Sequence, residues 1–413
     1  MSVTIAISKP QIGLIVPSLM QGGGVPSVAR FLKDSIIKEG SYRLKIISLA
    51  TSATDSTNLG LTQINSWRRG AIVEKGEWEG LPFIHVGANA GEFEFQRYQP
   101  RLILKNEIKE CDILQIVCGS PAWANTVIGQ GKPVSLQCAT RIRVERRMRD
   151  SNAKGLVGHW RKIMTSVSDR LDDRALKLVD AIQVENPWML EYSRGINNNP
   201  AADIKYAPPG VDCNTFYPDP NGRNLEVDPY ILCVARLSDP RKNVGLLLEA
   251  YALLPKDTIK NISLVLAGSS SPPEKFWKRV QELGLDERVK FVLKPSEADL
   301  VRLYQRALMF VLPSDEEGLG VVILEAMACG IPPISTKSGG PDGIISDGFD
   351  GFLTALNDEK SLCNKILLLS QNLELNRAMG FNALKTVLTK YEQGVAAKEF
   401  YDTWNKLMRK MVK

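Results

Sequence analysis

Two glutamates, Glu317 and Glu325, stand with seven residues between them in the stretch PSDEEGLGVVILEAMACGIPPISTKSGG, residues 313–340. A carboxylate accepts from two vicinal hydroxyls at once, so two so placed can hold a sugar and a ribose. The plainer reading is an exposed loop acid followed by a solvated helix glutamate. Against it, Glu325 lies inside the apolar run VVILEAMAC, where a buried charge is costly without a ligand or partner. That run reads as a helix stopped by Gly330. The amides of Gly318, Leu319, Gly320 and Val321 are expected to be the unpaired N–H groups of its first turn. Such a terminus is a ready anion site, and a diphosphate is its natural occupant. Glycines at 318 and 320 let the backbone approach a ligand closely.

A second group is ARLSDPRKN, residues 235–243, directly after the strand-like YILCV. In open α/β sheets, ligands bind outside the carboxyl ends of the strands, which places Arg236 and Lys242 to meet phosphate. Arginine offers a planar fork and lysine a compact charge; together they neutralise a leaving diphosphate. The bland alternative is two ordinary surface cations. A third group is QGGGVPS, residues 21–27, where Gly22, Gly23 and Gly24 precede a helix and read as a phosphate-approach loop or, without a ligand, as a tight turn. A dinucleotide fingerprint fits poorly. Its third glycine would fall at Ser27, and the second strand ends in SLATSAT with no acid at its tip. There is no D-x-D triplet and there are only two histidines, His85 and His159. Both facts weigh against a bound metal, and no cofactor is expected.

These groups need a scaffold that brings strand ends together. Strand-like segments (IGLIVP, RLKIISLA, PFIHVG, CDILQIVCG, PVSLQC, DAIQVE, then YILCVARL, ISLVLAG, VKFVL, LMFVLP, PPISTK, GFLT) are separated mostly by helical ones. Val244, Leu247, Leu248, Tyr251 and Leu254 share one helical face. Short apolar strands alternating with helices predict α/β units with parallel sheets covered on both faces. The turn-rich segment APPGVDCNTFYPDPNGRN, residues 207–224, marks a boundary. The expected domains are 1–206 and 207–390. Residues 391–413 form a final helix with Phe400, Trp404, Leu407 and Met411 on one face.

The chain has 413 residues, 44% of them hydrophobic and 24% charged, enough for two domains with their own cores. No apolar run approaches the ~18 residues of a membrane span, and the N-terminus has no basic leader with an apolar stretch, so the default location is cytoplasmic. The seven cysteines are odd in number and form no C-x-x-C pair; they read as small buried hydrophobes. Residues 141–177 hold eleven Lys and Arg and five Asp and Glu, an excess of +6, equal to the net charge of the chain. Within this segment Trp160, Ile163, Met164 and Val167 fall on one helical face, beside His159, Arg161 and Lys162. Three readings stay open: a stripe packed on the core, a helix lying on an anionic bilayer, or a basic site for an anionic saccharide.

The order of motifs is specific. A GGG loop comes first, then A-P-P-G-V-D-x-x-x-F, V-A-R-L-x-x-x-R-K-N, P-S-x-x-E-G-L-G-x-x-x-L-E-A-M-A-C-G and S-G-G. The chain resembles the retaining glycosyltransferases of family 4, most specifically over residues 207–354. The resemblance implies a GT-B fold: two Rossmann-like domains facing a cleft, with the C-terminal helix crossing back to the first. It implies that Glu317 faces the donor sugar, that Glu325 meets the nucleotide ribose, and that Arg236 and Lys242 hold the diphosphate. The loop Gly22–Gly24 would close on the donor from the first domain. The implied reaction is metal-independent, hexosyl-type transfer with retention, from a nucleotide-diphosphate sugar as co-substrate to a hydroxyl of a glycan or lipid-linked acceptor. Such chemistry belongs to cell-surface polysaccharide or glycolipid synthesis, with no nucleic-acid partner; peripheral contact with an anionic membrane stays one of the open readings of the basic helix. The same fold also carries nucleotide-sugar epimerisation, and a non-catalytic sugar-nucleotide-binding subunit is a further alternative. One departure stands out. Many relatives place a histidine at the end of an N-domain strand; the corresponding stretch here, VSLQCATR (134–141), has none. His85 or His159 would have to stand in.

Overall fold

The structure is a computed structural model that describes residues 9–17, 19–20, 23–61, 64–151, 153–223 and 227–411. Gly22 lies outside them. The chain divides into two compact units: the described residues up to Pro209 together with those from Ala397 onward, and Gly210–Ala396.

The first unit is built on an eight-stranded sheet. Its strands are β1 (Gln11–Pro17), β2 (Arg43–Leu49), β3 (Val73–Trp78), β4 (Leu81–Val86), β5 (Ile113–Cys118), β6 (Val134–Cys138), β7 (Ala181–Val184) and β8 (Asp203–Tyr206). The spatial order is β3-β4-β2-β1-β5-β6-β7-β8. Every pairing is parallel except β3 with β4. That exception corrects the expectation of a purely parallel sheet. The segment VEKGEW has only a weak apolar signal, and most of β3 is exposed because it is an edge strand. Glu79 and Gly80, at φ 51° and 76°, close its hairpin with β4; two successive left-handed residues match the twist of antiparallel strands. β5 is buried along its whole length, as a strand covered on both faces requires.

The C-terminal helix, Gln393–Met411, ends in the first unit. Phe400, Trp404 and Leu407 are buried, as their spacing predicts; Met411, at the helix end, is 46% exposed. Trp404 Nε1 donates to Gln115 Oε1 at 2.8 Å. Gln115 Nε2 in turn donates to Gln183 Oε1, which also accepts from Ser135 Oγ. These polar side chains are fully buried on three adjacent strands, and the helix brings the indole N–H that Gln115 accepts.

The second unit has a six-stranded, wholly parallel sheet of β9 (Tyr230–Val234), β10 (Ser263–Gly268), β11 (Val289–Leu293), β12 (Met309–Leu312), β13 (Pro333–Thr336) and β14 (Phe352–Thr354), ordered β11-β10-β9-β12-β13-β14. Apolar clusters cover both faces. The helix Val244–Ala252 buries Val244, Leu247, Leu248 and Tyr251, the face its spacing marks. All seven cysteines are free thiols, six of them buried and Cys213 partly so.

Candidate functional site

β9 and β12 are neighbours, so the loops leaving their carboxyl ends lie side by side. The loop after β9 makes a short 3₁₀ turn, Pro240–Lys242, capped by the Asp239 carboxylate, which accepts from Arg241 N. Asn243 follows in a left-handed conformation (φ 42°) and donates from Nδ2 to Asp315 Oδ1 at 2.8 Å. Asp315 N donates to Arg241 O at 2.8 Å. These bonds join the two loops and set Lys242 Nζ 2.7 Å from Glu317 Oε1. The same oxygen accepts from Ser314 Oγ at 2.6 Å. Glu317 is 9% exposed, so it is a held carboxylate rather than a free loop acid. Arg236 is half-exposed, and its guanidinium lies 3.5 Å from Asp239.

The backbone of Glu317 is fixed as well. Its N–H donates to Ser338 O, and its carbonyl accepts from Gly340 N, both at 2.9 Å. Gly340 has no room for a side chain: a Cβ there would lie 2.3 Å from Leu319 O. The S-G-G segment therefore packs against the glutamate loop through backbone alone.

The helix after this loop runs Val321–Ala328, with Gly320 at φ 86° as its N-cap. Its first turn begins at Val321, which corrects the expectation for Gly318 and Leu319. Both precede the helix, and Leu319 is buried in the core below it. The left-handed Gly320 ends the loop before regular helical bonding starts, so the helix begins three residues later than the glycine spacing implied. Glu325 is partly exposed and accepts from Tyr304 Oη at 2.7 Å. Burial pushes its carboxyl up to about 7, against the opposing pull of the Tyr304 hydrogen bond. Ser314, not singled out from the sequence, lies three residues before Glu317 and holds it. Tyr304 was missed as well, because it lies on a preceding helix, Glu297–Arg306, with no local spacing to mark it.

In the first unit, Gly23 has φ 134°, which only glycine adopts readily, and its carbonyl accepts from Ser27 N and Oγ at the start of the helix Gly24–Glu39. A Cβ on Gly24 would meet open space. His85 is held at both ring nitrogens, Nδ1 by Ser48 Oγ at 2.9 Å and Nε2 by Asp55 Oδ2 at 3.0 Å. It borders a pocket of about 310 Å³ with Leu19, Thr51 and Phe83. At the end of β6, Cys138 is buried, and beyond it Arg141 stacks on the Tyr192 ring and pairs with Asp169 and Asp173. His159, Trp160, Arg161 and Lys162 are all exposed on the helix Gly155–Leu178. Among the described residues, no three His, Cys, Asp or Glu side chains converge as metal ligands.

Residues 219–386 match the family model described as "Glycosyl transferases group 1". The chain is 32% identical over 197 residues to a probable sucrose-phosphate synthase of Thermosipho melanesiensis, covering 47% of this chain and 45% of that protein. It is 32% identical over 166 residues to a GDP-mannose-dependent alpha-(1-6)-phosphatidylinositol monomannoside mannosyltransferase of Mycolicibacterium smegmatis, covering 37% and 43%. The chain thus spans less than half the length of these curated relatives. Among solved structures, a sucrose-phosphate synthase from Thermosynechococcus elongatus superposes with a TM-score of 0.73 at 19% identity, over 97% of this chain and 99% of that one. Anabaena HepE in complex with UDP-glucose superposes with a TM-score of 0.68 at 16% identity, over 96% and 99%. The fold is GT-B.

Proposed function

On a GT-B chain that resembles family 4 and carries a group 1 glycosyl transferase domain, we propose that the loops after β9 and β12 bind a nucleotide-diphosphate sugar and transfer its sugar with retention. The observation that carries this reading is the pairing of Lys242 with Glu317, next to the N-terminus of the helix that carries the Tyr304-held Glu325, with Arg236 on the same loop as Lys242. Lys242, Arg236 and the amides of Gly320 and Val321 neutralise charge on the leaving diphosphate. Glu317 takes hydroxyls of the donor sugar, and Glu325 takes the ribose. The acceptor hydroxyl attacks from the face the diphosphate leaves, and the leaving phosphate takes its proton. Positioning and electrostatics supply the rate, with no protein nucleophile and no metal.

The acceptor is a glycan or lipid-linked hydroxyl, in cell-surface polysaccharide or glycolipid synthesis at the inner face of the membrane. Supporting this, the relatives include a phosphatidylinositol monomannoside mannosyltransferase, and the superposed structures include a lipopolysaccharide outer core galactosyltransferase. Among the described residues no helix is long and apolar enough to cross a membrane.

Calorimetry with UDP, GDP and ADP, followed by NMR of products from the matching donor, tests the reading. One diphosphate should bind, and the product should keep the donor's anomeric configuration. Binding of none of the three, or an inverted product, would overturn it.

A further inference from the structure

The helix Gly155–Leu178 has reversed polarity. The face it turns to the domain carries Gly158, Thr165, Ser168, Asp169, Asp172, Ala175 and Leu176. The acids on this inner face are engaged. Asp172 accepts from Ser120 Oγ and from the amides of Ala122 and Ile142, and Asp169 pairs with Arg141 and Arg143. The large apolar residues of the first half point outward. Leu156 is 92% exposed, Val157 65%, Trp160 54% and Ile163 50%. A helix normally buries such residues and shows its acids to water. A contiguous apolar surface left open marks a partner.

The exposed start of this helix carries basic residues and no acids. Between Ser151 and Ser168 there is no acidic residue, while Lys154, His159, Arg161 and Lys162 all fall there. Arg161 and Lys162 have no ion-pair partner among the described residues. Beside Trp160 and Arg161 opens a cavity of about 320 Å³ that is also lined by Arg97, Arg146, Arg149, Glu92 and Glu94. Glu94 neutralises Arg146 there, and Arg97 donates to the carbonyls of Gly91 and Thr51. Arg149 lies 3.7 Å from Asp150, and Arg161 is the exposed cation of the cavity without an acidic partner among the described residues.

We propose that this surface docks on an anionic phospholipid bilayer: Leu156, Val157, Trp160 and Ile163 enter the interfacial layer, and Arg161 and Lys162 meet lipid phosphates. The proposal deepens the reading above by naming the lipid face that would meet a membrane-borne acceptor, and it rests on that reading only for its purpose. Apolar insertion combined with a few cations is the combination that holds a helix in the plane of a membrane. A second copy of the chain is the less suited occupant, because two such faces would set Arg161 and Lys162 against their own like charges.

Co-sedimentation of the full chain with vesicles decides it. Binding to equimolar phosphatidylglycerol and phosphatidylcholine should exceed binding to phosphatidylcholine alone and should fall with salt. Leu156→Ser with Trp160→Ser should abolish most of it. Arg161→Ala and Lys162→Ala should each lower partitioning roughly fivefold. In every variant, calorimetry with the nucleoside diphosphate should be unchanged, which shows a folded chain and keeps this test apart from that of the donor site. If wild-type protein binds the diphosphate yet stays in the supernatant at low salt, the membrane proposal is wrong and the donor reading stands. Self-association in sedimentation velocity that Trp160→Ser abolishes, or binding of soluble glycerol phosphate without vesicle binding, would overturn it equally.

Discussion

Lys242 Nζ lies 2.7 Å from Glu317 Oε1, although 75 residues separate the two in the chain. The ammonium therefore touches one proposed donor-sugar ligand while facing the position proposed for the diphosphate, and its loss would disturb both. Lys242→Ala and Arg236→Ala are each expected to weaken nucleoside diphosphate binding by ~1.5–3 kcal/mol, the range for hydrogen bonds to charged groups. Glu317→Ala should lose most transfer activity while staying folded. The Lys242→Ala, Glu317→Ala double variant should fall short of the sum of the two single losses by ~0.5–3 kcal/mol in kcat/KM, as contacting residues do. Strict additivity would show that the pair does not act as a unit.

Protonation of Glu325 should be linked to both stability and binding. Its carboxyl is raised from an ordinary value of 4.5 to about 7, so between those pH values the folded chain holds a proton that the unfolded chain has released. Stability contributed by this group thus falls as pH rises through that window. Buried Asp172 and Glu185, also raised to about 7, push the same way. Tm of the ligand-free protein should carry a downward component from pH 5 to 7 that shrinks in Glu325→Gln. A ribose bound by the carboxylate needs the proton gone, so nucleotide affinity should rise toward pH 7 and then level. Calorimetry at pH 6 in two buffers of different ionisation enthalpy should detect proton release, which Glu325→Gln removes.

Gly340→Ala tests the backbone packing that holds the glutamate loop. A methyl group would meet the carbonyl of Leu319, which is backbone and cannot swing aside. Diphosphate affinity should drop at least ~10-fold, equivalent to about 1.4 kcal/mol, with the far-ultraviolet circular dichroism intact. Unchanged affinity would mean that the loop tolerates displacement.

Transfer is expected to persist in excess EDTA, because Lys242, Arg236 and helix amides are proposed to do the charge neutralisation that a divalent cation does elsewhere. Assay of released diphosphate with and without chelator is sufficient. Loss of activity restored by Mg²⁺ or Mn²⁺ would contradict the assignment.

The parts of the molecule readable in advance are those governed by local rules. The helix Val244–Ala252 buries the face that its 3.6-residue period marks, and Gly40, at φ 69°, stops its helix as a left-handed cap. β3 escaped because an exposed edge strand needs no apolar run. Tyr304 escaped because only the sheet order brings its helix beside Glu325. The basic helix shows a different gap. Periodicity grouped Trp160 and Ile163 on one face, but it does not say whether that face turns inward, and here the opposite face is tied down by Asp169 and Asp172.

Trp404 closes a buried polar layer of the first sheet from a position almost three hundred residues beyond Gln115. Synthesis runs in one direction, so when β1 to β8 have left the ribosome, Gln115 still lacks its indole partner, and Phe31 lacks the Phe400 ring that meets it edge-on. The whole second unit emerges in between. The earlier unit must therefore wait, incomplete, until the later one has been made, and a ribosome halted shortly before Phe400 leaves its damage at the front of the chain, not at the end where the interruption occurred.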